Sequence, residues 1–174
     1  MRSWMLIVLS SLACAATAAT EDADPEFTLV RRAVEDDLAA ASRDSVLLSN
    51  QLQAQIDRTG DFQSWLEGLI PERFRQGIPV ELLRRFWQVN KSPRDLRAID
   101  TIAGRPVRLV RQHVPADTQG VFSASRVAFA PSGDSAIVAL TFTCPGLCGS
   151  SQLWLYVRAP TGWERRRLLH SLNH

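Results

Sequence analysis

The chain predicts an α+β protein, with N-terminal helices packed on a C-terminal antiparallel β-meander of about four to five strands. Three observations carry that expectation. Before Pro93, apolar residues recur mostly at spacings of three and four, as on one face of a helix. After Pro93 they alternate, as on a half-buried strand. Clusters of Gly, Pro, Ser and Asp then punctuate the alternating runs at short intervals. A length of 174 residues, 45% of them hydrophobic, suits one such domain.

The first segment, MRSWMLIVLSSLACAATAATEDAD, reads as an export signal. Arg2 is followed by an apolar run from Trp4 to Ala13, then by small residues that include Ala16-Thr17-Ala18. That pattern predicts a signal peptide over 1–18, a disordered polar N-terminus over 19–24, and a single α+β domain over 25–174. Cys14 raises the alternative of a lipid-anchored protein, but in Ser11-Leu12-Ala13-Cys14 the leucine stands one place too close to the cysteine. No other run approaches the ~18 to 20 apolar residues of a membrane span. The expected location is periplasmic or secreted, with no transmembrane helix in the mature chain.

A helix is expected from Pro25, which suits a first helical turn. Phe27, Val30, Val34 and Leu38 form its apolar stripe, and Ser42-Arg43-Asp44 marks its end. SVLLSNQLQAQI fits either a strand or a helix, because Leu48, Leu52 and Ile56 satisfy both periods. Asp61 is placed to cap a short helix with Phe62, Trp65, Leu66 and Leu69 inward, and Pro71 interrupts it. A further helix starts at Pro79 and is expected to bury Val80, Leu83, Phe86 and Trp87, closing at Asn90-Lys91-Ser92-Pro93.

Beyond Gly104-Arg105-Pro106, Val107 to Val110 reads as a strand. Four extended runs follow, separated by Ser132-Gly133-Asp134, by Cys144-Pro145-Gly146-Leu147-Cys148 and by Pro160-Thr161-Gly162. In the second run Ala136, Val138, Leu140 and Phe142 share a face opposite Ile137, Ala139, Thr141 and Thr143. In the third, Leu153, Leu155 and Val157 oppose Trp154, Tyr156 and Arg158. Connections this short demand antiparallel pairing, hence the meander, with the helices on one of its faces.

Removal of the signal leaves two cysteines, Cys144 and Cys148. They supply half of a zinc site, but no paired histidine motif supplies the other half. The oxidoreductase motif has one residue fewer between its cysteines and opens a helix, whereas these lie between strands. A structural disulfide clamping a hairpin corner suits the compartment and the flanking runs. Pro145 and Gly146 favour the bend.

Cys144-Pro145-Gly146-Leu147-Cys148-Gly149 resembles the Cys-Gly-x-Leu-Cys-Gly corner of an uncharacterised family of exported bacterial proteins. In that family a Ser-Arg-Val-x-Phe strand precedes the corner and a Gly-x-Trp turn follows. Here these stand as Ser125-Arg126-Val127-Ala128-Phe129 and a shorter Gly162-Trp163. Phe86 and Asn90 are similar to a Phe and an Asn near the end of an upstream helix. The resemblance spans mainly residues 80–170. The chain departs from it at Pro145, at Ser150-Ser151 and in the ending His-Ser-Leu-Asn-His. The resemblance implies an exported α+β domain and no catalytic chemistry.

The net charge of +2, with nineteen arginines and one lysine, provides no field for nucleic acid, and no nucleic-acid partner is expected. His113 stands four residues before Asp117, a spacing open to acid–base work but also to a solvated loop. His170 and His174 lie at the C-terminus. Glu35, Asp36 and Asp37 read as a solvated helix face. Arg165-Arg166-Arg167, with Arg158 nearby, reads as a basic patch or as protection of a sheet edge. The candidate ligand-contact residues are Trp154, Tyr156, Trp163 and Arg126, because aromatic rings on adjacent strands can stack on a sugar or peptide. No catalytic residue, metal or cofactor is assigned. The expected function is a non-enzymatic envelope binding or interaction module, whose partner is an envelope component or a small ligand. The alternatives are a small periplasmic hydrolase or other enzyme with a His/carboxylate site, and a thiol-disulfide factor.

Overall fold

In the computed structural model, which describes residues 24–38, 45–53, 60–96, 99–111, 120–146 and 148–173, the first helix begins beside Asp24. The Asp24 carboxylate accepts from the Glu26 backbone N–H at 3.0 Å and its carbonyl accepts from that of Thr28, so two of the unpaired N–H groups of a helix start are satisfied. Helix α1 (Pro25–Leu38) buries Leu29, Val30, Ala33, Val34 and Leu38, and Phe27 packs at the border of that stripe. The predicted signal peptide, Cys14 and the end of this helix at Ser42–Asp44 lie outside the described residues.

The ambiguous segment contains a strand, β1 (Val46–Ser49), followed by the short β2 (Gln51–Leu52). Asp61 caps α2 (Phe62–Leu69) as its position suggests, accepting from the N–H groups of Gln63 at 2.8 Å and Ser64 at 3.0 Å. After Pro71 come α3 (Glu72–Arg75) and α4 (Val80–Val89). The buried stripe of α4 is Leu82, Leu83 and Phe86, with Trp87 half-buried and Val80 55% exposed. The expectation for Val80 is corrected: at 100° per residue it lies well off the face shared by Leu82, Leu83, Phe86 and Asn90.

The remaining strands are β3 (Arg94–Asp95), β4 (Thr101–Ile102), β5 (Arg105–Val110), β6 (Val121–Ala124), β7 (Ala128–Phe129), β8 (Ser135–Thr143), β9 (Gly149–Ala159) and β10 (Gly162–Asn173). The α+β class is observed: among the described residues four helices lie before Pro93, and a large sheet is built mostly from the residues after it. Its order is β10-β9-β8-β6-β1-β5-β4, with β7 also on β8, while β2 and β3 form a separate pair.

The sheet is wider than the predicted meander. β7, β8, β9 and β10 follow one another with antiparallel pairing, as the predicted meander requires. The run expected as its first strand divides at Ser125–Val127 into β6 and β7, both antiparallel to β8. β1 then inserts into the sheet, parallel to both β6 and β5. Helices cover both faces, not one. Ala136, Val138 and Leu140 of β8 join α1 in one apolar cluster, with Tyr156 of β9. Ile137 of β8, with Leu153 and Leu155 of β9, joins Phe62, Leu66, Leu82, Leu83 and Phe86 in the other. The alternation predicted for β8 and β9 therefore supplies two cores, because both faces of these strands are covered.

Candidate functional site

Three of the four candidate ligand-contact residues lie in the α1 layer. Tyr156 is fully buried. Its hydroxyl donates to Asp36 Oδ2 at 2.9 Å and accepts from Arg165 Nε at 3.1 Å. Arg165 also donates to Asp37 Oδ1 at 2.7 Å and to the Ala33 carbonyl at 3.2 Å, and its guanidinium stands 4.3 Å from the Trp154 ring centroid. Burial pushes the Tyr156 phenol above its ordinary range, and the hydrogen bond from Arg165 only partly offsets that. Trp163 packs on Phe129 with ring centroids 5.7 Å apart, and Arg158 lies over its ring. Trp154, Tyr156 and Arg165 thus form one group that seats α1 on β9 and β10.

Arg126 belongs to a second group, at the other end of α1. Glu26 is only 4% exposed. Its carboxylate accepts from Arg126 Nε at 3.2 Å, from the Val127 N–H at 2.8 Å and from Arg94, which also pairs with Asp24. Asn90, fully buried at the end of α4, accepts from the Arg126 N–H at 2.8 Å and donates to the Arg126 carbonyl at 3.1 Å. These bonds serve the backbone where the ladder breaks between β6 and β7. Sequence reasoning placed Phe86 on the buried stripe of α4 and Asn90 at its end; their contacts show Asn90 bonding to the Phe86 carbonyl at 2.9 Å and to residue 126.

Cys144 and Cys148 lie within disulfide distance, their Cα atoms 5.5 Å apart, at the connection of β8 and β9. The Cys144 N–H also bonds to the Cys148 carbonyl at 3.2 Å. His113, Asp117 and His174 fall outside the described residues. Among the described residues no three His, Cys, Asp or Glu side chains are grouped to hold a metal ion, and no helix is long and apolar enough to cross a membrane.

A polar recess of about 440 Å³ lies elsewhere, half-open to solvent and lined, among the described residues, by Asn50, Gln51, Asp95 and Arg111. Backbone ladders place all four. Ser49, the last residue of β1, pairs in register with Val110, the last of β5. Asn50 and Arg111 therefore leave adjacent parallel strands side by side, and the Asn50 N–H bonds to the Val110 carbonyl at 2.9 Å. Gln51 pairs with Asp95 across β2 and β3, and its side-chain amide donates to the Asp95 carboxylate at 3.3 Å. No family model matches this chain, and no curated protein or solved structure matches it.

The carboxyl ends of parallel strands are where sheets with parallel strands commonly build ligand crevices: the ladder holds the backbone rigid while the residues just beyond it diverge. The volume falls within the ~300 to 1,000 Å³ usual for small-molecule sites. Sequence reasoning passed over these four residues. None belongs to a motif, and each is an ordinary surface residue type. The one available signal was the Ser49-Asn50 interruption at the end of an apolar run.

Proposed function

We propose that the chain is a non-enzymatic binding module of the bacterial envelope and that its small ligand lodges in the recess at the ends of β1 and β5. The single observation that carries this reading is the recess itself: among the described residues four polar residues line it beside two strand ladders, with volume for a small molecule. The aromatic and arginine residues of the α1 layer are engaged in seating that helix. The export-type leader, the Cys144–Cys148 pair and the resemblance of the hairpin corner support the compartment.

The test is an amide-resonance titration of the protein with a small-molecule extract of bacterial envelopes. Perturbation concentrated at Asn50, Gln51, Asp95 and Arg111 is expected, with the bound compound recovered unchanged by mass spectrometry. Recovery of a chemically altered compound would replace the binding module with the hydrolase alternative. Perturbation confined to Cys144 and Cys148, with exchange of their sulfurs, would favour the thiol-disulfide factor.

A further inference from the structure

The arginines of this protein that lie in its interior or at its helix seams are matched to acceptors: Arg94 to Asp24 and Glu26, Arg126 to Glu26, Arg165 to Asp36 and Asp37. Arg111 differs. It is exposed at the recess and has no ion pair or hydrogen bond among the described residues. Asp95 lines the same recess and accepts only from the neutral Gln51 amide, with no cation paired to it among the described residues. Opposite charges therefore line one recess without closing on each other. The registers explain why: Arg111 stands beside Asn50, and Asp95 stands across from Gln51, so two consecutive residues lie between the charges.

We infer that the recess takes a small dipolar molecule, an α-amino acid or the equivalent ends of a short peptide, with its carboxylate set against Arg111 and its ammonium against Asp95. This identification rests on the binding function proposed above and adds the ligand's class. A guanidinium offers paired N–H donors that match a carboxylate in plane. A carboxylate offers only acceptors, which an ammonium fills. Asn50 and Gln51, whose side chains carry both donors and acceptors, line the recess at the two backbone positions between Arg111 and Asp95, where a peptide or substituent would run. A ligand with one charge would satisfy one wall of the recess and leave the other charge to water.

The inference is tested with the full exported chain and four probes: alanine, alanyl-alanine, propionate and glucose. Amide-resonance titration should show alanine or alanyl-alanine perturbing Asn50, Gln51, Asp95 and Arg111. Tighter binding of the first identifies a free amino acid, and of the second a peptide end. Propionate should bind at least about tenfold more weakly, as expected for loss of a charge-assisted contact. Arg111→Gln and Asp95→Asn should each weaken the dipolar probe by a similar factor, while Arg111→Lys retains part of the affinity. Unchanged far-ultraviolet dichroism would confirm that these exposed variants fold. Propionate binding as tightly as alanine, or glucose filling the recess indifferently to Arg111→Gln, would overturn the dipolar class and leave the binding module standing. Failure of the four probes, with perturbation of the recess by the envelope extract, would do the same. Failure of probes and extract together would overturn both.

Discussion

Glu26 gathers two guanidinium groups and a backbone N–H on one buried carboxylate, so its charge fixes where α1 meets the break between β6 and β7. Removing one partner from a buried ionic group leaves the others uncompensated. Glu26→Gln should destabilise the fold by about 3 kcal/mol, seen as a lower urea midpoint with an unchanged slope. An unchanged midpoint would show that the clamp carries no energetic weight. Tyr156 allows a cleaner test, because it is the only tyrosine in the chain. Burial raises its folded pKa above the unfolded value near 10. The stability linked to it is therefore complete below about pH 10 and is lost as pH rises through the folded value. Phenolate absorbance should appear near pH 10 in denaturant and only at higher pH in the native protein. Coincident titrations would contradict the buried hydrogen-bonded phenol. At the acid end, burial tends to raise the Asp24 pKa, but the hydrogen bond from Arg94 and its neighbours outweigh this and hold it below the usual carboxylate range. Its contribution is present above about pH 4 and fades as pH falls through the folded value.

At the level of elements, the sheet depends on how β6 approaches β8. Gly120, just before β6, has φ +126°, a region that side chains rarely adopt. A Cβ there would sit 2.2 Å from Phe142 Cζ and 2.7 Å from the Thr143 carbonyl oxygen. Phe142 is itself packed on Phe122, with ring centroids 5.0 Å apart. Gly120→Ala should therefore destabilise by about 3 kcal/mol, through strain and overpacking together. A thermal midpoint close to that of the parent would show that this junction shifts freely. At one edge of the sheet, β10 runs from Gly162 to Asn173 with register shifts at Arg165/Arg167 and Leu168/His170. Such bulges, with exposed Arg166 at the first of them, discourage edge-to-edge pairing with another chain.

For the whole molecule, one sheet serves two cores. Alternate residues of β8 enter opposite clusters, so neither helical layer can leave without exposing a strand that the other still needs. Unfolding should be a single transition. Trp65 and Trp87 report the α2–α4 layer, Trp154 and Trp163 the α1 layer. Fluorescence of a Trp65→Phe/Trp87→Phe variant and of a Trp154→Phe/Trp163→Phe variant should each show a denaturant midpoint that coincides with that variant's far-ultraviolet dichroism. Separated midpoints would mean that one layer melts alone.

Local rules were legible in the residues: the capping of α2 by Asp61, the stripe of α1, the alternation of β8 and β9, and the turns that join β7 to β8 and β9 to β10. Each depends on neighbours a few positions apart, which is the range over which periodicity and caps act. Tertiary structure decided what depends on distant partners. Val46–Ser49 is a strand because Val107–Val110 lies beside it in parallel register, a fact that no local spacing contains. Helices cover both faces because the alternation of β8 and β9 is apolar on both sides, and only packing shows which helix takes which side. Arg126 and Tyr156 became parts of the α1 seat once Glu26 and Asp36 were brought to them. The recess exists because two ladders end together, setting Asn50 beside Arg111 and Gln51 across from Asp95. A sequence specifies such a site only through its registers, and registers between remote strands are settled by the burial of whole faces.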